Sequence, residues 1–315
     1  MLKLEPMKAR QSEYNGLLLL NKNPGQTSFE SLNFIKKTLS TGKVGHTGTL
    51  DKFASGLLLV LVGKVLKLNS LFTYCKKVYK GRIHFGKETD TLDPEGTVIA
   101  EAEIPVRETV ESALEQFRGE IMQAPPAYSA IHIDGKRAHE LSRQGIQPEM
   151  KKRPVTIYNL ELISWEPPYA DIHVTCSSGT YIRSLARDIA LAASSRGYLC
   201  ALERISIGNF ALADAYGNVN TNANTSELNE KEQLEKFIKP VNPELFSLLE
   251  LPFIYADEDQ LVLLKHGQSL EGINLRKMTD TIPDAFAAGI FSKEDKLAAV
   301  LEPRNGKWQY GHVFL

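Results

Sequence analysis

Two uninterrupted apolar runs, LLLL at residues 17–20 and LLLVLV at residues 57–62, constrain this chain more than any other feature. Neither has the 3.6-residue spacing of an amphipathic helix, and neither alternates as a half-exposed strand would. Both are far short of the ~20 residues needed to cross a bilayer. They read as buried strands, the first ending at the turn Asn23-Pro24-Gly25.

Other periodicities surround these runs. Thr27 and Glu30 stand three apart, as in a capping box, and Leu32, Ile35 and Leu39 follow at helical spacing. Residues 40–48, rich in Gly and Thr, read as a loop. Residues 78–85 alternate as a strand, and residues 93–96 turn into another at 97–104. A helix is expected with Val110, Leu114 and Phe117 on one face. Strands are expected at 155–165 and 171–176, where Ile172, Val174 and Cys176 alternate with polar neighbours. Gly179 opens a helix that turns Ile182, Leu185 and Ile189 inward, with Arg183 and Arg187 four apart on one face. Residues 218–229 are polar and Asn-rich, a surface loop. From about residue 250 the texture changes to short strand-like pieces, such as 297–301 and 307–315, between Gly and Pro turns. The chain is expected to be α+β, with a large mixed-sheet domain at 1–249 and a small, mostly β domain at 250–315.

Net charge over the 315 residues is −1, so bulk electrostatics names no partner. The distribution does. Residues 31–87 hold eleven Lys and Arg but one acid, Asp51, so this span carries +10 and the rest −11. A local basic patch is the footprint of a nucleic-acid binder. Within it, KKVYKGR at residues 76–82 sets Lys76, Lys77, Lys80 and Arg82 around Tyr79. That grouping fits phosphate contacts beside a base-stacking ring; the bland alternative is a solvated strand.

Several classes fall away. Cys75, Cys176 and Cys200 are odd in number and far apart, which fits neither a disulfide framework nor a CxxC site. They are expected to be reduced, mostly buried thiols in a cytosol. The seven histidines show no paired spacing, so no metal site is expected. No GxxxxGK[ST] loop is present. TGTL at residues 47–50 precedes its aspartate, the reverse of the order in phosphorylated-aspartate pumps. The first sixteen residues have no apolar signal core, and no membrane association is expected.

Longer motifs then align in order: GHTGTLD at 45–51, KVYKGRIHFGKETDTLDPEG at 77–96, PPAYSAIHIDGKRAHELSRQG at 125–145, KRPVTIYNLELI at 152–163, GTYIRSLARDIA at 179–190 and LERISIG at 202–208. In these the chain resembles the TruB family of bacterial tRNA pseudouridine synthases, which isomerise uridine 55 in the T-arm. The residues after 250 resemble that family's small PUA-type domain. The resemblance implies a catalytic set of Asp51, Tyr79 and Arg183, with Arg183 pairing with Asp51 and Tyr79 stacked on the flipped uracil. It implies that His46 contacts the target nucleotide and that Tyr181 and Leu202 line the pocket. Lys22 matches the family's lysine after the first strand. Two positions depart from the pattern: Lys52 follows Asp51 where the family usually has Pro, and Pro24 stands one place late.

The implied reaction breaks N1–C1′, turns the uracil and joins C5 to C1′. Nothing is oxidised or lost, so no cofactor is expected. The base must leave its stack first, which costs a few kcal/mol. An ionised Asp51 in an apolar pocket needs a cation such as Arg183 to offset burial. A second carboxylate nearby would repel both Asp51 and phosphate, and none is expected. Attack at C1′, attack at C6 and a glycal route all remain open. The expected partner is tRNA, without guide RNA, bound by a cytoplasmic monomer through Lys22, Lys77, Lys80, Arg82 and the pocket residues. One alternative is a tRNA-binding folding factor in which catalysis is secondary. Another is the guide-RNA-dependent branch resembling dyskerin, disfavoured by the bacterial-type motifs.

Overall fold

A computed structural model describes residues 14–129, 131–133, 135–144, 149–217, 229–268, 285–305 and 307–315. The chain begins with β1 (Gly16–Lys22), α1 (Ser31–Thr38), β2 (Val44–His46), β3 (Ser55–Val62), α2 (Asn69–Thr73) and β4 (Lys77–Phe85). A hairpin of β5 (Lys87–Thr89) and β6 (Val98–Glu101) leads to α3 (Arg107–Glu115) and β7 (Gly119–Gln123). A second small hairpin, β8 (His132–Ile133) and β9 (Lys136–Arg137), precedes α4 (Ala138–Arg143). Then come β10 (Arg153–Glu166), β11 (Tyr169–Cys176), α5 (Ile182–Ala192), β12 (Gly197–Ile207) and β13 (Phe210–Ala211). The chain closes with α6 (Glu230–Phe237), β14 (Ile238–Lys239), α7 (Pro243–Leu248), β15 (Phe253–Tyr255), α8 (Glu258–Lys265), β16 (Ala288–Phe291), β17 (Leu297–Arg304) and β18 (Lys307–Val313).

The fold is α+β, built on a ten-stranded mixed sheet ordered β14-β1-β3-β12-β4-β11-β10-β7, with β2 added to β3 and β13 to β12. The apolar runs lie at one end of it, in β1 and β3, which pair antiparallel from Gly16↔Val62 to Lys22↔Gly56. Both faces are covered there. Leu17, Leu19, Leu57, Leu59 and Leu61 point into one core, and Leu18, Leu20, Leu58, Val60 and Val62 into another under α1 and α6. Alternation disappears because neither face meets water. At the other end β4, β11 and β10 are covered on one face only, by α3 and α5, so their sequences alternate.

The edge of β3 away from β1 is shared. β2 pairs with its far part, Val44↔Val62 to His46↔Val60, and β12 with its start, Glu203↔Ser55 and Arg204↔Gly56. The chain from Thr47 to Ala54 turns in the notch between, and Asp51 lies on that turn. Gly56 takes φ +103°, and a Cβ there would come within 2.4 Å of the Arg204 carbonyl oxygen, so only glycine lets β3 and β12 close up.

The C-terminal strands form their own sheet, β15-β16-β17-β18, with a core that includes Ile290, Ala299 and Leu301. Its other side is continuous with the large sheet. Phe291 and Val300 pack in one cluster with Phe246 from α7 and with Leu17, Leu59 and Phe72.

The Thr27–Glu30 box forms, with reciprocal bonds of 2.8 Å (Thr27 N–H to Glu30 Oε2) and 3.1 Å (Glu30 N–H to Thr27 Oγ1), one turn ahead of α1. The loop expected at 40–48 contains β2, and the strand expected at 97–104 is confined to β6. Residues 218–228 of the expected Asn-rich loop lie outside the described residues; Asn229 caps α6 in a capping box with Glu232. Of the three thiols only Cys176 is fully buried, while Cys75 and Cys200 are half-buried. Among the described residues no helix is long and apolar enough to cross a membrane.

Candidate active site

The turn that carries Asp51 is pinned from below. The Ser28 hydroxyl donates to the Leu50 carbonyl (3.0 Å) and accepts from the Leu50 N–H (2.8 Å), which holds Leu50 in the core. The Lys22 ammonium, 1% exposed, donates to the carbonyls of Ala54 (2.6 Å), Asn23 (2.9 Å) and Lys52 (3.4 Å). Burial lowers Lys22 to about 8, opposed by the nearby Asp51 charge. Gly25 N–H also donates to the Lys52 carbonyl at 2.8 Å. The two departures from the family pattern, at Lys52 and in the Asn23-Pro24 turn, therefore meet in one set of hydrogen bonds. Above the turn the Lys52 ammonium lies 3.3 Å from Glu95.

Arg183 reaches the site from the first turn of α5 and is 5% exposed. Nη2 donates to Asp51 Oδ1 at 3.0 Å, and Nε lies 3.0 Å from Oδ2. Nη1 donates to the Thr91 carbonyl (2.8 Å) and Asp93 Oδ2 (3.1 Å), and Nη2 also to the Tyr128 carbonyl (3.1 Å). Asp93 is itself fixed, accepting at Oδ1 from the Thr91 hydroxyl (2.6 Å) and the Glu95 N–H (3.0 Å). The expectation that Asp51 has no acidic neighbour is therefore wrong. It rested on a span that ended at residue 87, and the turn at 93–96 brings Asp93 in from beyond it. The repulsion is offset because both carboxylates bind one guanidinium.

Asp51 keeps 35% of its side-chain surface accessible, whereas its partner Arg183 is buried. Burial raises its carboxyl above the usual range. Arg183 opposes this, Asp93 adds to it and Lys22 opposes it.

Around the carboxylate stand Tyr79 and Leu202, each 8% exposed and in one apolar cluster with Leu50 and Ile182. Tyr79 lies opposite Arg204 on β12 and Val174 on β11. Burial raises its phenol, and Arg204 opposes the shift. His46, at the end of β2, is half-buried, with Nδ1 lacking a hydrogen-bond partner; burial and Arg204 both lower its pKa. Tyr181 precedes α5 and is held at both backbone groups by the side chain of Gln123: its N–H donates to Oε1 (2.8 Å), and its carbonyl accepts from Nε2 (3.1 Å). Tyr181 also lines a cavity of about 230 Å³ with Gln123, Pro125, Arg153 and Gly179.

The basic strand divides. Lys77 shares the covered face with Tyr79 and is buried, its ammonium donating to the Thr73 carbonyl at 2.7 Å. Lys80 and Arg82 lie on the opposite, open face of the sheet. There Arg82 forms a two-pronged pair with Asp171 at 2.7 and 2.8 Å. The structure thus sets Arg183, Tyr79 and Tyr181 near Asp51, with Leu202 packed beside Tyr79 and Leu50 and His46 near Arg204. Lys22, expected to bind substrate, is instead buried beneath the turn, and Lys80 and Arg82 lie on the opposite face of the sheet. Sequence reasoning does not single out Asp93 or Arg204: Asp93 reads as one residue of a turn, and Arg204 as one residue of a family motif. Among the described residues no group of three His, Cys, Asp or Glu could hold a metal ion.

Comparison with known proteins accords with this geometry. The family model described as TruB family pseudouridylate synthase (N terminal domain) matches residues 36–182. The tRNA pseudouridine synthase B of Borreliella burgdorferi (strain ZS7) is 39% identical over 305 residues, 95% of this chain and 99% of the relative. That of Clostridium kluyveri is 37% identical over 82% of this chain and 86% of its own length. Among solved structures, a chain of a Cbf5-Nop10-Gar1 complex superposes with a TM-score of 0.67 at 23% identity, covering 95% of this chain and 84% of that one. At that identity the likeness concerns the fold. Sequence, fold and cleft agree: the chain belongs to the TruB family of pseudouridylate synthases.

Proposed function

We propose that this protein converts uridine to pseudouridine at position 55 in the T-arm of tRNA, as a cytoplasmic monomer that needs no guide RNA. The observation that carries the reading is the Asp51–Arg183 pair: a carboxylate that accepts a hydrogen bond from a buried guanidinium at one oxygen and lies 3.0 Å from it at the other, yet stays partly exposed. The 39% identity to a tRNA pseudouridine synthase B supports tRNA as the substrate.

The chemistry follows from the residues. The target nucleotide leaves its stack, and a ring such as Tyr79 returns part of the few kcal/mol this costs. His46, at the end of β2, contacts the target nucleotide and helps displace it from its stack. Asp51, oriented by Arg183, which opposes the burial that favours its neutral form, meets the nucleoside as nucleophile or base in its ionised form. The N1–C1′ bond breaks, the uracil turns against Leu202 and Tyr181, and C5 bonds to C1′ while C5 gives up its proton to solvent and N1 takes one up. Asp51 is regenerated, so the cycle closes without a co-substrate.

The test is to incubate purified protein with an unmodified tRNA transcript and no other RNA, then map pseudouridine by carbodiimide primer extension. A stop at position 55 is expected. A stop only elsewhere, or only with added guide RNA, overturns the reading.

A further inference from the structure

Arg204 is among the largest side chains wholly buried in the protein, at 2% exposure. Among the described residues it has no carboxylate within ion-pair distance. A buried cation without a counter-charge is costly, and an apolar side chain of similar volume would commonly be tolerated as well or better. What the guanidinium touches gives it a role.

Its strand, β12, stands between β3 and β4, so Arg204 faces Gly56 on one side and Tyr79 on the other. Nε donates to the Leu57 carbonyl at 2.7 Å, and Nη2 to the Gly48 carbonyl at 3.1 Å. These acceptors bracket Asp51, one before it in the chain and one after. Nη1 lies beside Gly48, 3.8 Å from where a Cβ would stand. The same side chain stands directly across the β12–β4 pair from Tyr79, near enough for its charge to oppose the effect of burial on the phenol. Arg204 thus ties both ends of the Asp51 loop to one guanidinium, on the strand next to the one that carries Tyr79.

We propose that Arg204 is a positioning residue for the isomerisation: one buried guanidinium sets the distance between the Asp51 loop and the Tyr79 hydroxyl. This rests on the reading that Asp51 and Tyr79 act on the nucleotide. Arg183 orients the carboxylate itself, and Arg204 fixes the frame that carries it. A misplacement of about 1 Å between reacting groups lowers a rate about 100-fold while leaving binding contacts intact.

The test uses the full chain and an unmodified tRNA transcript. Arg204→Met removes the charge at similar length, and Arg204→Lys keeps a cation able to reach one carbonyl. Both variants are expected to melt in one cooperative transition and to keep KM within about threefold. In Arg204→Met, kcat is expected to fall about 100-fold, and in Arg204→Lys to recover by about fivefold or more. Wild-type kcat with only a lowered melting temperature overturns the proposal, as does a Lys variant no more active than Met. If Arg204→Met does not melt cooperatively, Arg204→Lys decides: lowered kcat at unchanged KM supports the role, and wild-type kcat overturns it. Asp51→Asn in the same assay separates the two readings. Turnover by that variant removes Asp51 from the chemistry, whereas its inactivity beside fully active Arg204 variants overturns the Arg204 role alone.

Discussion

Asp93 holds Arg183 by a different edge of the guanidinium from Asp51, with Oδ2 3.1 Å from Nη1. The two acids act on each other through charge, and their removal has opposite consequences. The Asp93 charge raises the Asp51 carboxyl, so Asp93→Asn should move the acid limb of kcat to lower pH. Arg183 lowers it, so Arg183→Met should move the limb to higher pH and reduce kcat sharply at neutrality. Single-turnover rates from pH 4.5 to 8.5 would check both; limbs that move the same way would show that Asp51 is not the titrating group.

Asp51→Asn keeps the shape and removes the charge. Turnover should fall by about three to six orders of magnitude, with the Kd for tRNA nearly unchanged. Stability supplies a second readout. Burial raises the folded carboxyl above its unfolded value, so this group's contribution is present at low pH and lost as pH rises through the raised value. The melting temperature of Asp51→Asn relative to wild type should therefore be more favourable at pH 7 than at pH 4.

Strand alternation makes a prediction about salt. Lys80 and Arg82 face away from the cleft, whereas Lys52 is exposed beside it. Lys52→Gln should lower the slope of log K against log salt by roughly one. The Lys80→Gln, Arg82→Gln pair should leave it unchanged and cost little stability, because the Arg82–Asp171 bridge is solvent-screened. A flatter slope in that pair would place RNA on the open face of the sheet.

Phe246 and Phe291 meet edge to face at 5.1 Å in the cluster that joins the two sheets. Phe291→Ala should destabilise by about 3–5 kcal/mol and lower a single transition seen by every probe. Truncation after Leu249 should abolish the cooperative melt, because it strips Phe291 and Val300 from Leu17 and Leu59. Two separate transitions in the full chain would show that the C-terminal sheet folds independently.

What the sequence revealed follows from how each residue signals its role. Apolar runs and alternation are local, so β1, β3, β4, β10 and β11 could be read directly. β12 escaped because Glu203, Arg204 and Ser206 interrupt its apolar pattern, and Arg204 looks polar although it is buried. Asp51 stood out by charge contrast, and the family motifs brought in Arg183 and Tyr79. Asp93 had no such contrast, because its meaning lies in a contact 90 residues away in the chain. Lys77, Lys80 and Arg82 looked alike as a patch, but strand alternation sends them to opposite faces.

The place of β12 also bears on synthesis. It fills the gap between β3 and β4 but leaves the ribosome long after both. Until residue 207 emerges, those neighbours present unpaired edges to one another, a template for wrong pairing. Non-local closure of this kind is slow, and synthesis adds only about 5–20 residues per second. A nascent chain stopped short of β12 should hence be an inactive client for chaperones, with Asp51 and Tyr79 already made but not yet held in relation to each other.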